Sequence, residues 1–228
     1  MDEFLKNYIL PDTFYPISKL LNYCHLGSIR NYRKGEIIVF PDEIVNKAIF
    51  VISGRFNINT VADECRELFM YTAGRHSLMN RLFEFEEEKI QIVAIEDSKV
   101  CYFSKEQLLL VFKQDEEIIF DIFRNYSVKG AYCYKLFSEM KRFTPSTRVL
   151  RLFYELCQSN GESINNQWII NIALSNNIIS EITGIHYVTV SKILASLRKE
   201  KTLIKKRKVI IIYDLKKLKD LIDVGISY

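Results

Sequence analysis

The chain has 228 residues, 48% hydrophobic and 26% charged, a composition that belongs to a folded protein rather than a disordered one. No apolar run reaches the length of a membrane span, and the opening MDEFLKNY has neither a basic nor an apolar leader stretch, so a cytoplasmic protein is expected. The net charge of +4 hides an asymmetry: residues 1–140 carry 17 Lys/Arg against 21 Asp/Glu and residues 141–228 carry 15 against 7, so the second half is expected to meet a polyanion.

Cys24, Cys65, Cys101, Cys133 and Cys157 are scattered without a C-x-x-C pair, and His25, His76 and His186 are equally dispersed. Reduced structural thiols, no metal site and no cofactor are expected. Residues 1–30 are aromatic and polar, with Pro11 and Pro16, and read as an arm with short helical turns. From Ile29 to Phe103 the chain becomes short β-rich runs punctuated by turn residues, with Gly35, Gly54 and Gly74 where strands must turn. That pattern suggests an all-β roll. An enzyme on such a jelly roll would need clustered His/Glu metal ligands, which this stretch does not offer.

Ser104–Phe112 reads as a short, Ser-capped helix, and a long helix follows from about Asp115 to Lys141. Along it Ile119, Phe123, Tyr126, Gly130, Cys133, Phe137 and Met140 alternate spacings of four and three, the seam of a coiled coil, so a homodimer is expected. Thr144-Pro145-Ser146 breaks that helix and starts another, with Pro145 in the first turn where its missing N–H costs nothing. Asn160-Gly161 reads as a turn and Trp168–Ile172 as a small strand.

Two short helices follow. Ser175 can cap the first, Ile178, Ile179 and Ile182 recur on one face, and Gly184 ends it. The second restarts near Tyr187 and buries Val190, Ile193, Leu194 and Leu197, leaving Tyr187, Val188, Thr189, Ser191, Lys192 and Ser196 outward. Short, hydrogen-bonding side chains suit a helix lying in a DNA major groove. A two-stranded wing comes next, with Lys205, Lys206, Arg207 and Lys208 at its tip; four adjacent cations repel one another unless phosphate lies nearby. The tail after Tyr213 is another amphipathic helix.

The resulting fold class is α+β: a β-roll (cyclic-nucleotide-binding-like) over 1–112, a dimerisation helix over 113–142 and a winged helix-turn-helix over 143–228. This order resembles the CRP/FNR family of transcription regulators. FVISGRFNI is similar to the family's sheet motif, and ITGIHYVTVSKILASL to its recognition segment. The resemblance implies that Thr189 touches a phosphate while Tyr187, Val188, Ser191 and Lys192 face base edges, and that RNA polymerase is a further partner. Many members carry Arg-Glu before the Thr-Val pair; Tyr187-Val188 here favour thymine methyls, so an A/T-rich palindrome is expected.

The effector region departs from the cyclic-AMP binders. GRHSLMNRLFEFEEEKIQ has no Glu-Leu or Arg-Ser pair, and Glu84, Glu86, Glu87 and Glu88 would repel a cyclic phosphate. YTAGRHSLMNRLF, NYSVKGAYCY and RVLRLFYELC instead resemble the family's halorespiration branch. That branch binds ortho-chlorinated phenols, which implies a halogenated phenol as effector and Tyr71, Asn80, Arg81, Tyr126 and Lys129 as its contacts. The competing readings are a cyclic-nucleotide-responsive regulator of the same fold and a constitutive DNA binder with a degenerate pocket.

Overall fold

The computed structural model describes residues 14–62, 66–79 and 89–225. The chain divides into two compact units, Leu10–Tyr132 and a second that takes in Cys133–Tyr228.

In the first unit a 3-10 helix, Ser18–Leu26, precedes seven strands: β1 (Ser28–Tyr32), β2 (Ile37–Val39), β3 (Ala48–Ser53), β4 (Phe56–Ala62), β5 (Arg66–Ala73), β6 (Ile90–Ala94) and β7 (Ser98–Phe103). They form two antiparallel sheets, in the orders β1-β7-β3 and β2-β6-β4-β5. Strand β3 is buried on both faces for a reason visible in its period. Ala48 and Phe50 pack with Leu20, Leu108 and Ile118, whereas Ile49 and Val51 pack with Phe56 and Ile92. One strand thus serves two apolar clusters, and its sequence AIFV has no polar alternation. Gly54 makes the β3–β4 turn at φ 85, and a Cβ there would lie 2.0 Å from Ser98 Oγ.

Helix α1 (Lys105–Gln114) starts in a reciprocal cap: Ser104 Oγ accepts from Gln107 N while the Gln107 side chain accepts from Ser104 N. Helix α2 (Glu117–Arg142) contributes residues to both units. Its exposed apolar residues are Phe120, Phe123, Tyr134, Phe137 and Met140. Of the expected seam, Phe123, Gly130, Phe137 and Met140 are exposed and Cys133 is half-buried. Tyr126 is half-buried and packs on the core cluster of the roll, and Ile119 is half-buried. The helix buries Ile118, Ile122, Asn125, Lys129 and Tyr132, none of them a residue of the expected seam, and Phe120 and Tyr134 are exposed beside it.

In the second unit, α3 (Pro145–Asn160) is capped by Thr144, with Pro145 in its first turn. The turn expected at Asn160-Gly161 is not there: α3 runs through Asn160, and Gly161 opens β8 (Gly161–Ile164). The turn to β9 (Gln167–Ile170) is made by Asn165 and Asn166 at φ 49 and 61, because Asn tolerates the left-handed region. The wing strands β10 (Leu203–Lys205) and β11 (Ile210–Ile212) join this hairpin in one sheet, β10-β11-β9-β8. Helices α4 (Asn176–Thr183), α5 (Tyr187–Lys199) and α6 (Leu215–Val224) complete the unit.

Candidate functional site

The helix pair α4–α5 is built as its residues dictate. Ser175 Oγ accepts from Ile178 N at 3.1 Å, and Gly184 takes φ 64, ψ 35. Ile185 is buried at the corner. His186 caps α5, its Nδ1 accepting from Val188 N at 3.4 Å. Ile178 is exposed, however, and Ile179, Ile182 and Thr183 form the buried face of α4, since each residue step turns a helix by about 100°.

On α5 the core side holds Val190, Ile193 and Leu197, with Leu194 half-buried. Tyr187, Val188 and Lys192 are exposed, and Thr189 and Ser191 are half-buried. All five therefore lie within the first two turns of one helix. Asn176 on α4 donates to Ser191 Oγ at 2.9 Å, which fixes that hydroxyl. Ser196, by contrast, is turned to Glu200. At the wing, Lys206 N donates to Val209 O at 2.8 Å, and Lys206, Arg207 and Lys208 are exposed. Lys205 is not at the tip but in β10, half-buried, and burial lowers its ammonium pKa.

Sequence reasoning missed the residues that brace this head. Arg148 donates from Nε to Thr183 O at 2.9 Å and from Nη1 to Phe143 O at 3.2 Å. It thereby satisfies carbonyls at the ends of α4 and α2 that no helix bond can reach. The Phe143 ring lies under the Arg151 guanidinium, 4.3 Å from its centroid, and Arg142 is 5.7 Å away. Lys135 pairs with Glu155, and Arg151 bridges Glu155 at 3.1 Å and Glu139 at 3.4 Å. Burial raises the Glu139 carboxyl pKa.

In the first unit, Lys129 is only 5% exposed and its Nζ donates to Leu78 O. The ammonium lies 5.1 Å from the Tyr126 ring centroid, 5.3 Å from Tyr71 and 5.8 Å from Phe14. Tyr71 donates to Met79 O at 2.8 Å. Burial pushes the Tyr126 phenol up, so it stays a protonated donor at neutral pH. Three of the expected effector contacts, Tyr71, Tyr126 and Lys129, are therefore brought together; Asn80 and Arg81, and the acidic run Glu84, Glu86, Glu87 and Glu88, lie outside the described residues. One turn before Lys129, Asn125 is fully buried, donating to Tyr15 O at 2.6 Å and to Ser77 Oγ at 3.3 Å. Its Oδ1 has no partner among the described residues. Two open clefts of the roll, about 450 Å³ along Asn31, Ser53 and Lys99 and about 390 Å³ along Arg30, Ile44 and Tyr102, include none of these residues.

Comparisons with known proteins match both units. Residues 29–115 match the cyclic nucleotide-binding domain and residues 147–221 the Crp-like helix-turn-helix domain. A cysteine-to-serine variant of CprK complexed with OCPA is 42% identical, with a TM-score of 0.88 over 93% of this chain and 97% of that one. Oxidized CprK in complex with o-chlorophenolacetic acid is 41% identical, with a TM-score of 0.55 over 96% and 92%. The HTH-type transcriptional regulator ArcR of Staphylococcus aureus is 25% identical over 199 residues, 85% of this chain and 83% of that protein.

Proposed function

We propose that this chain, which belongs to the CRP/FNR family of DNA-binding transcription regulators, is a homodimer gated by an ortho-halogenated phenol. The observation that carries the effector reading is Lys129: a buried ammonium facing three aromatic rings suits an aromatic anion. An ortho chlorine withdraws electrons and lowers a phenol's pKa, so the phenolate is reached more readily than from plain phenol. A charge-assisted hydrogen bond to that oxygen is roughly twice as strong as one to a neutral acceptor such as Leu78 O. Tyr126 donates to the same oxygen, and Tyr71, Asn80 and Arg81 complete the contacts. That CprK is known in complex with o-chlorophenolacetic acid supports the ligand class.

On DNA, Tyr187 and Val188 of α5 meet thymine methyls, Ser191 and Lys192 face base edges, and Thr189 holds a phosphate. Lys205, Lys206, Arg207 and Lys208 follow the backbone. Two such helices read an A/T-rich palindrome whose half-sites lie about 34 Å apart, one turn of the duplex. Helix α2, which contributes to both units, carries the dimer contact, and RNA polymerase is the downstream partner.

The effector reading is tested by calorimetric titration with a chlorinated phenol and its parent phenol across pH. Affinity should follow ionisation of the ligand, favour the chlorinated compound at least tenfold at neutral pH, and lose that preference in Lys129→Leu. Equal binding of the two phenols, or tight binding of cyclic AMP, would contradict it.

A further inference from the structure

Resting on that effector reading, we infer that Phe14 is a specificity residue of the Lys129 site, forming a wall that selects effectors by the size of the ortho substituent. Phe14 is 8% exposed and stands edge-on to Tyr71, with centroids 5.4 Å apart at 80°, and to Tyr132, 5.8 Å apart at 70°. Edge-to-face contacts of this kind hold rings in a defined attitude beyond what area burial alone would give. The Lys129 ammonium lies 5.8 Å from the same ring.

The segment carrying Phe14 is fastened to the helix that carries the charge. Asn125 donates to the Tyr15 carbonyl at 2.6 Å, and the Tyr15 hydroxyl donates to Asp121 Oδ1 at 3.1 Å. The Arg124 guanidinium lies over the Tyr15 ring, 5.6 Å from its centroid. Two residues after Tyr15, Ile17 N donates to His76 O at 2.7 Å. With anchors one and three residues further along the chain, and its own ring set edge-on against Tyr71 and Tyr132, Phe14 is a fixed wall rather than a plug that swings away. Phe14, Tyr71 and Tyr126 are the rings set around the Lys129 ammonium, so a ligand ring whose oxygen takes that ammonium must displace or lie against them, and its ortho substituent, adjacent to that oxygen, is the part set against those walls. Lys129 then selects for charge and Phe14 for size, and the two selections are separable by experiment.

The test titrates the full-length protein, as wild type, Phe14→Leu and Phe14→Ala, with 2-chlorophenol, 2-iodophenol and benzoate. The two halophenols have similar acidity and differ in halogen size. Phe14→Ala should bind 2-chlorophenol at least tenfold more weakly, while the ratio of iodo- to chlorophenol affinity rises at least fivefold. Phe14→Leu, which keeps apolar bulk and should melt like wild type, should show a smaller change of the same sign. A purely structural role would weaken all ligands alike and leave the ratio fixed, which overturns the inference. So would tighter binding in Phe14→Ala, the mark of a competing plug. Halophenol binding unchanged within twofold in both variants removes the wall and leaves the effector reading intact. Binding of benzoate but not of halophenols removes the halophenol and, with it, the selection by ortho substituent. A wild-type protein that binds none of the three aromatic ligands removes both.

Discussion

A histidine beside the effector site shows how single residues set the conditions under which the roll is stable. Arg75 Nε donates to His76 Nε2 at 3.1 Å, which requires that nitrogen to be bare and puts the ring proton on Nδ1, 3.0 Å from Ser18 Oγ. Burial, and then the Arg75 charge, hold the His76 pKa below its ordinary 6.5. A depressed folded pKa means that this stabilisation is complete above the unfolded value of 6.5 and is lost as pH falls through the folded one. Melting temperature should therefore drop between pH 7.5 and 5.5. His76→Asn should flatten that dependence, since His76 sits at φ 63, a conformation Asn accepts. Parallel pH profiles for the two proteins would refute the assignment. Lys129 belongs to the same scale: it is buried where lysine is seldom found, so its replacement by leucine should spare folding while erasing phenolate preference.

At the scale of elements, the α4–α5 pair and the wing were legible because local chemistry sets them: a Ser cap, a left-handed Gly and a basic turn. Gly184 carries a further constraint that only the fold reveals. A Cβ there would lie 2.5 Å from the Met140 methyl at the end of α2. Gly184→Ala should thus cost about 1–2 kcal/mol from the left-handed backbone alone, read by urea unfolding. Met140→Ala in the same chain should recover little of that cost, because the crowded atom is the free end of a flexible, exposed side chain; recovery of most of it would place the cost in crowding rather than in the backbone. Helix α2 was legible as a helix with Phe123, Phe137 and Met140 outward, whereas Tyr126 packs on the roll's core because Ile118, Ile122 and Lys129 of the same face are buried there. Strand β8 was missed for a related reason, since GESI has little β character until β9 pairs with it. Of the expected effector contacts, Tyr71, Tyr126 and Lys129 fell together, while their neighbours Phe14 and Asn125 could not be read from spacing: one sits in an arm without period, the other is tied to Tyr15. If the exposed stripe of α2 is the dimer seam, Phe137→Glu should shift the sedimenting species from dimer to monomer. An unchanged mass would place the interface elsewhere.

For the whole molecule, the basic surplus of residues 141–228 resides in the unit that holds α5 and the wing, and Tyr71, Tyr126 and Lys129, the proposed effector residues, in the other. Binding of DNA should accordingly be salt-dependent, with the slope of log K against log salt falling by roughly one for each phosphate contact removed at Lys206, Arg207 or Lys208. Gating requires that the effector bind more tightly to the DNA-competent state than to the other, and by linkage DNA must then tighten effector binding by the same factor. The most direct measurement is the affinity of the purified protein for an A/T-rich palindromic duplex at fixed salt, with and without an ortho-chlorophenol, plain phenol and cyclic AMP. The account predicts that only the chlorinated phenol tightens binding, by about 5- to 150-fold for an ordinary allosteric coupling, and that Lys129→Leu abolishes the gain. DNA affinity that ignores every phenol, or that answers to cyclic AMP instead, would contradict it.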